Sequence, residues 1–339
     1  MVSILMAAYN SELFINSAIE SVLNQSYENW ELLICDDCST DKTWGLVKEF
    51  EENDKRIKLF RNSNNQGYLK TFNFLLDQAE GDYITFIDSD DTILPEKLRS
   101  QLNYLLTNEN VKGVGSGINR VNAGGKIFET EIFTHRHIDI LEKYENTRVL
   151  DIVPGTLMIE RKAIDIVGGY NEFFKNKPGE DIDWTLRLMD VIRIDNLELA
   201  LYNYRLNLKS LSRKVHSDIR SRHVFDYIFF FYMERKSRNG IDSLNVMDEK
   251  SYYSFEKKIF KLYSQDKTLL DRKLTVEYLI NKDYKNGLKH LRKVLPELQL
   301  LKIKTLKFIT LIIVLALFPT NILALAKSRL GIKGISHRV

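Results

Sequence analysis

Apolar and polar positions alternate between two spacings over the first hundred residues. Residues 2–8 (VSILMAA) are nearly all apolar, as a strand buried on both faces requires. Phe14, Ile15, Ala18, Ile19, Val22 and Leu23 then recur at helical spacing, with Ser11 placed to cap the helix. The alternation continues with a strand over 30–35, a helix over 39–50 and a short strand over 57–60. A helix over 68–79 and a strand over 83–87 follow, and Pro95 stands where a further helix would open. This βαβαβαβα order predicts an α/β fold, a mostly parallel sheet flanked by helices. Such sheets bind ligands beyond the carboxyl ends of their strands. Three polar clusters fall at those ends: Tyr9-Asn10, Asp36-Asp37 and Asp88-Ser89-Asp90-Asp91. They are expected to converge.

The middle of the chain is mixed. Residues 122–125 (NAGG) read as a hairpin turn, and 160–167 and 181–189 read as helices. A longer helix is expected over 214–236, rich in aromatic residues (Phe225, Tyr227, Phe229, Phe230, Phe231, Tyr232). From about residue 250 the pattern is helical and basic. The expected division is a catalytic domain over 1–213, with a nucleotide-binding part (1–110) and an acceptor-binding part (111–213). A helical C-terminal region follows over 214–339.

Charge sharpens that division. The net charge of +3 hides 30 Lys+Arg against 40 Asp+Glu in residues 1–249, and 19 against 6 in residues 250–339. An acidic region suits metal and hydroxyl chemistry, and a basic one suits a polyanion. Residues 308–326 carry no charge and are bracketed by Lys302, Lys304, Lys307, Lys327 and Arg329. Nineteen residues reach the length of a membrane span. Pro319 and Asn321 interrupt the segment, however, and cations at both ends set no orientation. A helix lying in the interface fits better, so the expected polyanion is lipid and not nucleic acid. The alternative is a buried helix or a dimer surface. The first ten residues lack a basic leader pattern, and Cys35 and Cys38 enclose Asp36 and Asp37, which raise thiol pKa. A reduced protein at the cytoplasmic face of a membrane is the expectation.

Asp88 and Asp90, one residue apart after a buried strand, repel each other unless a cation lies between them. Mg²⁺ or Mn²⁺ would remove the repulsion, taking one or two carboxylates plus substrate phosphates. A turn and helix cap is the plainer role for the same residues. Asp37 can accept the N–H of a nucleobase, or cap a helix. Tyr9 can flank the same base, or simply pack. Glu180-Asp181 opens a predicted helix, where the dipole favours a negative side chain and a carboxylate can act as base toward a hydroxyl. Trp184, one turn on, is either an apolar wall for a sugar or a core residue.

In order along residues 1–213 stand VSILMAAYN, ICDDCSTD, NNQGYLKTFN, FIDSDD, GGYNE and PGEDIDWTLRL. Together these resemble family-2 glycosyltransferases of the GT-A fold, of the kind that build bacterial surface polysaccharides. The resemblance implies base contacts at Ala7, Tyr9 and Asp37, the last on uracil. It implies a nucleotide pocket lined by Gly67 and Asn73, and Asp88 near the ribose. Asp90 becomes the metal ligand and Asp181 the catalytic base, with Glu180 beside it. The implied reaction is an inverting displacement on a nucleotide-sugar, delivered to a lipid-linked or glycan acceptor. Two departures stand out. Tyr204-Arg205-Leu206 is followed by Asn207, where family members often carry His. None of Trp30, Trp44 and Trp184 sits in the Gln-x-x-Arg-Trp motif of processive synthases, so transfer of a single sugar is expected. A nucleotidyltransferase would need a glycine-rich phosphate loop after the first strand, and AAYNSE offers none. A non-catalytic sugar-binding protein remains the other alternative, because a fold alone carries no activity.

Overall fold

The structure, a computed structural model, describes residues 1–206, 215–246 and 249–297. The segment 308–326 and Asn207 lie outside the described residues. The chain forms two compact units, Met1–Leu208 and Lys209–Val339.

Unit 1 opens with β1 (Val2–Ala8), α1 (Ile15–Leu23), β2 (Trp30–Asp36), α2 (Thr43–Asn53), β3 (Ile57–Arg61), α3 (Tyr68–Gln78) and β4 (Tyr83–Phe86). β5 (Thr92–Ile93), α4 (Lys97–Thr107), β6 (Gly113–Val121), β7 (Ile127–Glu131) and α5 (His137–Thr147) follow. The unit closes with β8 (Met158–Glu160), α6 (Arg161–Val167), α7 (Glu180–Val191) and β9 (Ile194–Arg205). One sheet results, in the order β3-β2-β1-β4-β8-β6-β9-β5, with β7 paired to β6. β3, β2, β1 and β4 are parallel. β8 joins β4 and β6 antiparallel, while β6 and β9 run parallel.

Alternation along β1 sets the two faces of the sheet. Ile4 and Met6 pack with Ile15, Ile19 and Val22 of α1 and with Leu98 and Leu102 of α4. Phe86, in register with Leu5, points to the other face, where its ring lies 5.2 Å from that of Phe72 on α3.

Three local expectations are corrected. Ser11 does not cap α1 with its side chain. Its carbonyl accepts from Phe14 and Ile15, and its hydroxyl pairs with Ser89 at 2.6 Å. Pro95 does not open α4, which starts at Lys97 behind an N-cap at Glu96, while the Pro95 carbonyl accepts from Ser26. In unit 2 the single helix expected over 214–236 is two, α8 (Ile219–Arg222) and α9 (Val224–Ser237). They break at His223, whose ring is held by Asp226 and by the Tyr263 hydroxyl at 2.6 and 2.8 Å. α10 (Glu249–Gln265), α11 (Leu269–Ile280) and α12 (Tyr284–Val294) complete the described part of unit 2. Among the described residues no helix is long and apolar enough to cross a membrane.

Candidate active site

The parallel register brings the strand ends level. Ala8 pairs with Asp36 and Leu5 with Phe86, so the loops after β1, β2 and β4 leave one edge of the sheet together. Direct bonds join them. The Asn10 N–H donates to Ser39 Oγ and its Oδ1 accepts from Thr40 N–H, both at 2.9 Å, while Ser11 meets Ser89. Tyr9 is exposed at this edge and Ala7 is half-buried.

The acids at this edge divide into two kinds. Asp37 is buried and holds the next loop. It accepts from Gln66 N–H at 2.7 Å, Gly67 N–H at 2.9 Å and Asn62 Nδ2 at 2.7 Å. Three donors occupy most of a carboxylate's roughly four acceptor positions. The loop ends at Gly67, whose φ of +83° suits glycine at the N-cap of α3. Asp91 is also buried, and Arg205 N–H donates to its Oδ1 at 2.6 Å. Burial, with the charges of Asp88 and Asp90 beside it, pushes the Asp91 carboxyl well above its ordinary pKa. Asp88 and Asp90 keep partial exposure. The Asp88 N–H donates to the Tyr202 hydroxyl at 3.1 Å. Arg205 fixes the turn from below: its Nε donates to the Asp90 carbonyl at 2.7 Å and its Nη1 to the Ala123 carbonyl at 2.9 Å.

The second group of acids arrives on α7. Gly179, with φ +92°, is the N-cap, and Glu180 and Asp181 occupy the first turn. Arg187 locks this helix in place, donating to Asp183 at 2.9 Å and to the carbonyls of Val167 and Gly169 at 3.0 and 2.8 Å. Near both groups lie Tyr68 and Tyr170, whose ring centroids are 6.1 Å apart. Burial raises the pKa of both phenols well above the ordinary value; the charges of Asp88, Glu180 and Asp181 add to it at Tyr68, and Tyr68 followed by the same acids adds to it at Tyr170. Carboxylates more than ninety positions apart in sequence thus act on the same pair of hydroxyls.

Two expected contacts are corrected. Trp184 has no exposed surface, so it offers no wall to a sugar. Its ring packs edge-on against Phe72, Phe86 and Tyr170, and its Nε1 donates to the Gly168 carbonyl at 2.7 Å. Asn73 does not present its amide to a nucleotide. Oδ1 accepts from Tyr170 N–H at 2.7 Å and Nδ2 donates to the Tyr170 carbonyl at 2.9 Å. Gly169 is required beside it, because a Cβ there would collide with the Asn73 amide. Burial, then Asp37 and Asp36, push the Cys35 thiol up to about 12, which suits packing and not redox exchange.

No group of three His, Cys, Asp or Glu side chains is gathered for an ion among the described residues. Two partly exposed carboxylates, Asp88 and Asp90, nevertheless fit an ion completed by substrate phosphates. Asp91 is directed to Arg205 and is not part of that set.

Residues 3–167 match the profile of glycosyl transferase family 2. An uncharacterised glycosyltransferase of Haemophilus influenzae is 32% identical over 257 residues, covering 76% of this chain and 97% of that protein. The chain belongs to this family. It is a glycosyltransferase with the GT-A fold. A mannosyltransferase of Pyrobaculum calidifontis, solved with GDP-Man and Mn²⁺, superposes with a TM-score of 0.53 at 14% identity, covering 97% of this chain and 84% of that one. The Escherichia coli enzyme WfgD is a UDP-Glc:α-D-GlcNAc-diphosphoundecaprenol β-1,3-glucosyltransferase. It is 46% identical over 108 residues, which are 32% of this chain and 42% of WfgD.

Sequence reasoning missed four residues that shape this candidate site. Tyr68 stood inside a recognised segment and Tyr170 inside the GGYNE turn, but phenols read as packing. Arg205 was visible only as part of an altered motif. Tyr202 carried no signal, because its partners lie more than a hundred positions away.

Proposed function

We propose that this glycosyltransferase moves one sugar from a UDP-sugar to a hydroxyl of a lipid-linked or polysaccharide acceptor, with inversion at the anomeric carbon. The observation that carries the reading is the level register that brings the loops after β1, β2 and β4 to one edge of the sheet, together with the charges of Asp88, Glu180 and Asp181 that all reach Tyr68 and Tyr170. The nucleotide is assigned to residues 1–110 and the acceptor to residues 111–213. Tyr9, Ala7 and Gly67 border the base, and Asp37 holds the loop against it while offering its remaining acceptor position to the uracil imide. Asp90, with Asp88 beside it and the ribose close by, would hold Mn²⁺ or Mg²⁺. When bound, that ion supplies counter-charge for the diphosphate. Asp181 takes the proton of the acceptor hydroxyl as its oxygen bonds to the anomeric carbon. The bond from that carbon to the diphosphate breaks on the opposite side, and Glu180 helps orient the incoming hydroxyl. WfgD's donor and lipid-diphosphate acceptor support the choice of substrates. The ion bound to the mannosyltransferase supports the metal, and its GDP-Man makes GDP the control nucleotide. The site of action is the inner face of the cell membrane, reached through the basic C-terminal region.

Asp181→Asn is expected to lower transfer by about 10²–10⁴-fold with UDP titration unchanged. Undiminished turnover in that variant would remove the base assignment. Asp90→Ala is expected to lose the part of UDP affinity that depends on Mn²⁺, and equal titrations with and without the ion would count against the metal role.

A further inference from the structure

α11 and α12 are joined by three residues and pack closely through Gly287, where a Cβ would meet Leu279 Cδ2 at 2.9 Å. Val294 is buried on the same side. A second stripe, along α12 and onto its C-cap Leu295, is not covered. Tyr284, Leu288 and Leu295 are 53%, 49% and 55% exposed, with Leu291 half-buried among them. Their spacing of four, three and four residues lines them along one side of the helix. Lys285, Lys289 and Arg292 each follow a stripe residue by one position and so border it along its length. Residues 284–294 contain no acid. Asp283, the N-cap of α12, is taken up by Asn286, whose N–H and Nδ2 donate to it at 3.1 and 2.7 Å, and Asp271 of α11 is engaged by His290 at 2.6 Å and Lys293 at 3.6 Å. Single exposed apolar side chains are ordinary, but a helical stripe of them edged by cations is the pattern of an interfacial helix. The chain then runs through Lys302, Lys304 and Lys307 into nineteen uncharged residues.

We propose that this face of α12 docks on the headgroup layer of an anionic lipid membrane. Tyr284, Leu288 and Leu295 enter the acyl boundary, and Lys285, Lys289 and Arg292 pair with lipid phosphates. The proposal rests on the reading that the enzyme works at a membrane, and names the surface that meets it.

The test uses the full chain and sedimentation with vesicles of phosphatidylglycerol and phosphatidylcholine, against phosphatidylcholine alone. The protein is expected to bind the anionic vesicles and to be released by salt. Leu288→Asp, and separately Lys285→Glu with Lys289→Glu, are each expected to weaken binding by about tenfold or more with melting temperature and UDP binding unchanged. Leu288→Gln serves if the aspartate variant melts early. Variants that bind as tightly as the parent would overturn the α12 surface while leaving the membrane reading intact. A parent that binds neither vesicle would overturn both. A parent that is dimeric, with variants that are monomeric and unchanged on vesicles, would assign the stripe to a second copy instead and overturn the proposal.

Discussion

The sheet edge of unit 1 and the helices of unit 2 hold their carboxylates in different ways. Unit 1 carries 22 Lys+Arg against 34 Asp+Glu, and unit 2 carries 27 against 12. At the sheet edge of unit 1, backbone N–H groups grip Asp37 and Asp91. Asp88, Glu180 and Asp181 all act on the Tyr68 phenol. In unit 2, arginines take the acids: Arg220 holds Glu256 at 2.6 Å, Arg222 holds Glu277 at 2.6 Å, and Arg235 holds Asp242 at 2.8 Å. An acid paired with a guanidinium is a strut. An acid gripped by backbone N–H groups, or facing hydroxyls, has no fixed cation of its own beside it. The difference teaches that acid content alone marks no site; what grips each acid decides.

This contrast can be broken by substitution. Arg235→Ala removes one half of a fully buried pair, and stability is expected to fall by about 3–5 kcal/mol. A loss below about 1 kcal/mol in urea melts would deny these pairs a structural role. Trp184→Ala is expected to cost about 3–5 kcal/mol. A normal melt with a raised acceptor KM would return the indole to the acceptor site. Asp37→Ala leaves the Gln66 and Gly67 N–H groups without their acceptor, and about 1–3 kcal/mol should be lost together with UDP affinity. If affinity falls and stability does not, the carboxylate serves the base more than the loop.

The last test concerns a cation inside the acidic unit. Lys97 is fully buried with its Nζ donating to Thr85 Oγ1 at 2.6 Å, and burial lowers its pKa to about 7. Between about 7 and the ordinary 10.5 the unfolded chain carries a proton that the folded one lacks, so stability climbs as pH rises through that window. Lys97→Met should flatten the climb and raise the melting temperature most at or below pH 7, on the order of 2–4 °C per kcal/mol relieved. Parallel pH profiles of the two proteins would expose the error.

The first four strands and three helices were legible because each carries its period within a few residues. β5 is two residues long and β8 three, too short to show alternation, and their pairing with β9 and β4 depends on distant chain. Trp184 and Asn73 were expected to face ligands, but partners brought by folding, Gly168 and Tyr170, take up their polar atoms. Burial separated Asp91 from Asp88 and Asp90, and no spacing rule distinguishes neighbours in a run of acids. The phenols were illegible as site residues because their importance comes from charges brought together by folding.

Arg205 gives β9 a significance beyond its pairing. It is anchored to the acid turn through the Asp90 carbonyl and the Asp91 carboxylate, and it stands three residues before the end of unit 1. The family match ends at 167, ahead of Asp181 and Arg205 alike. A fragment trimmed to that limit would retain the parallel strands β1 to β4 yet lose the arginine that holds the acid turn, and would lack the proposed base altogether. Anyone shortening this enzyme for crystallisation or engineering should therefore keep the whole of the final strand.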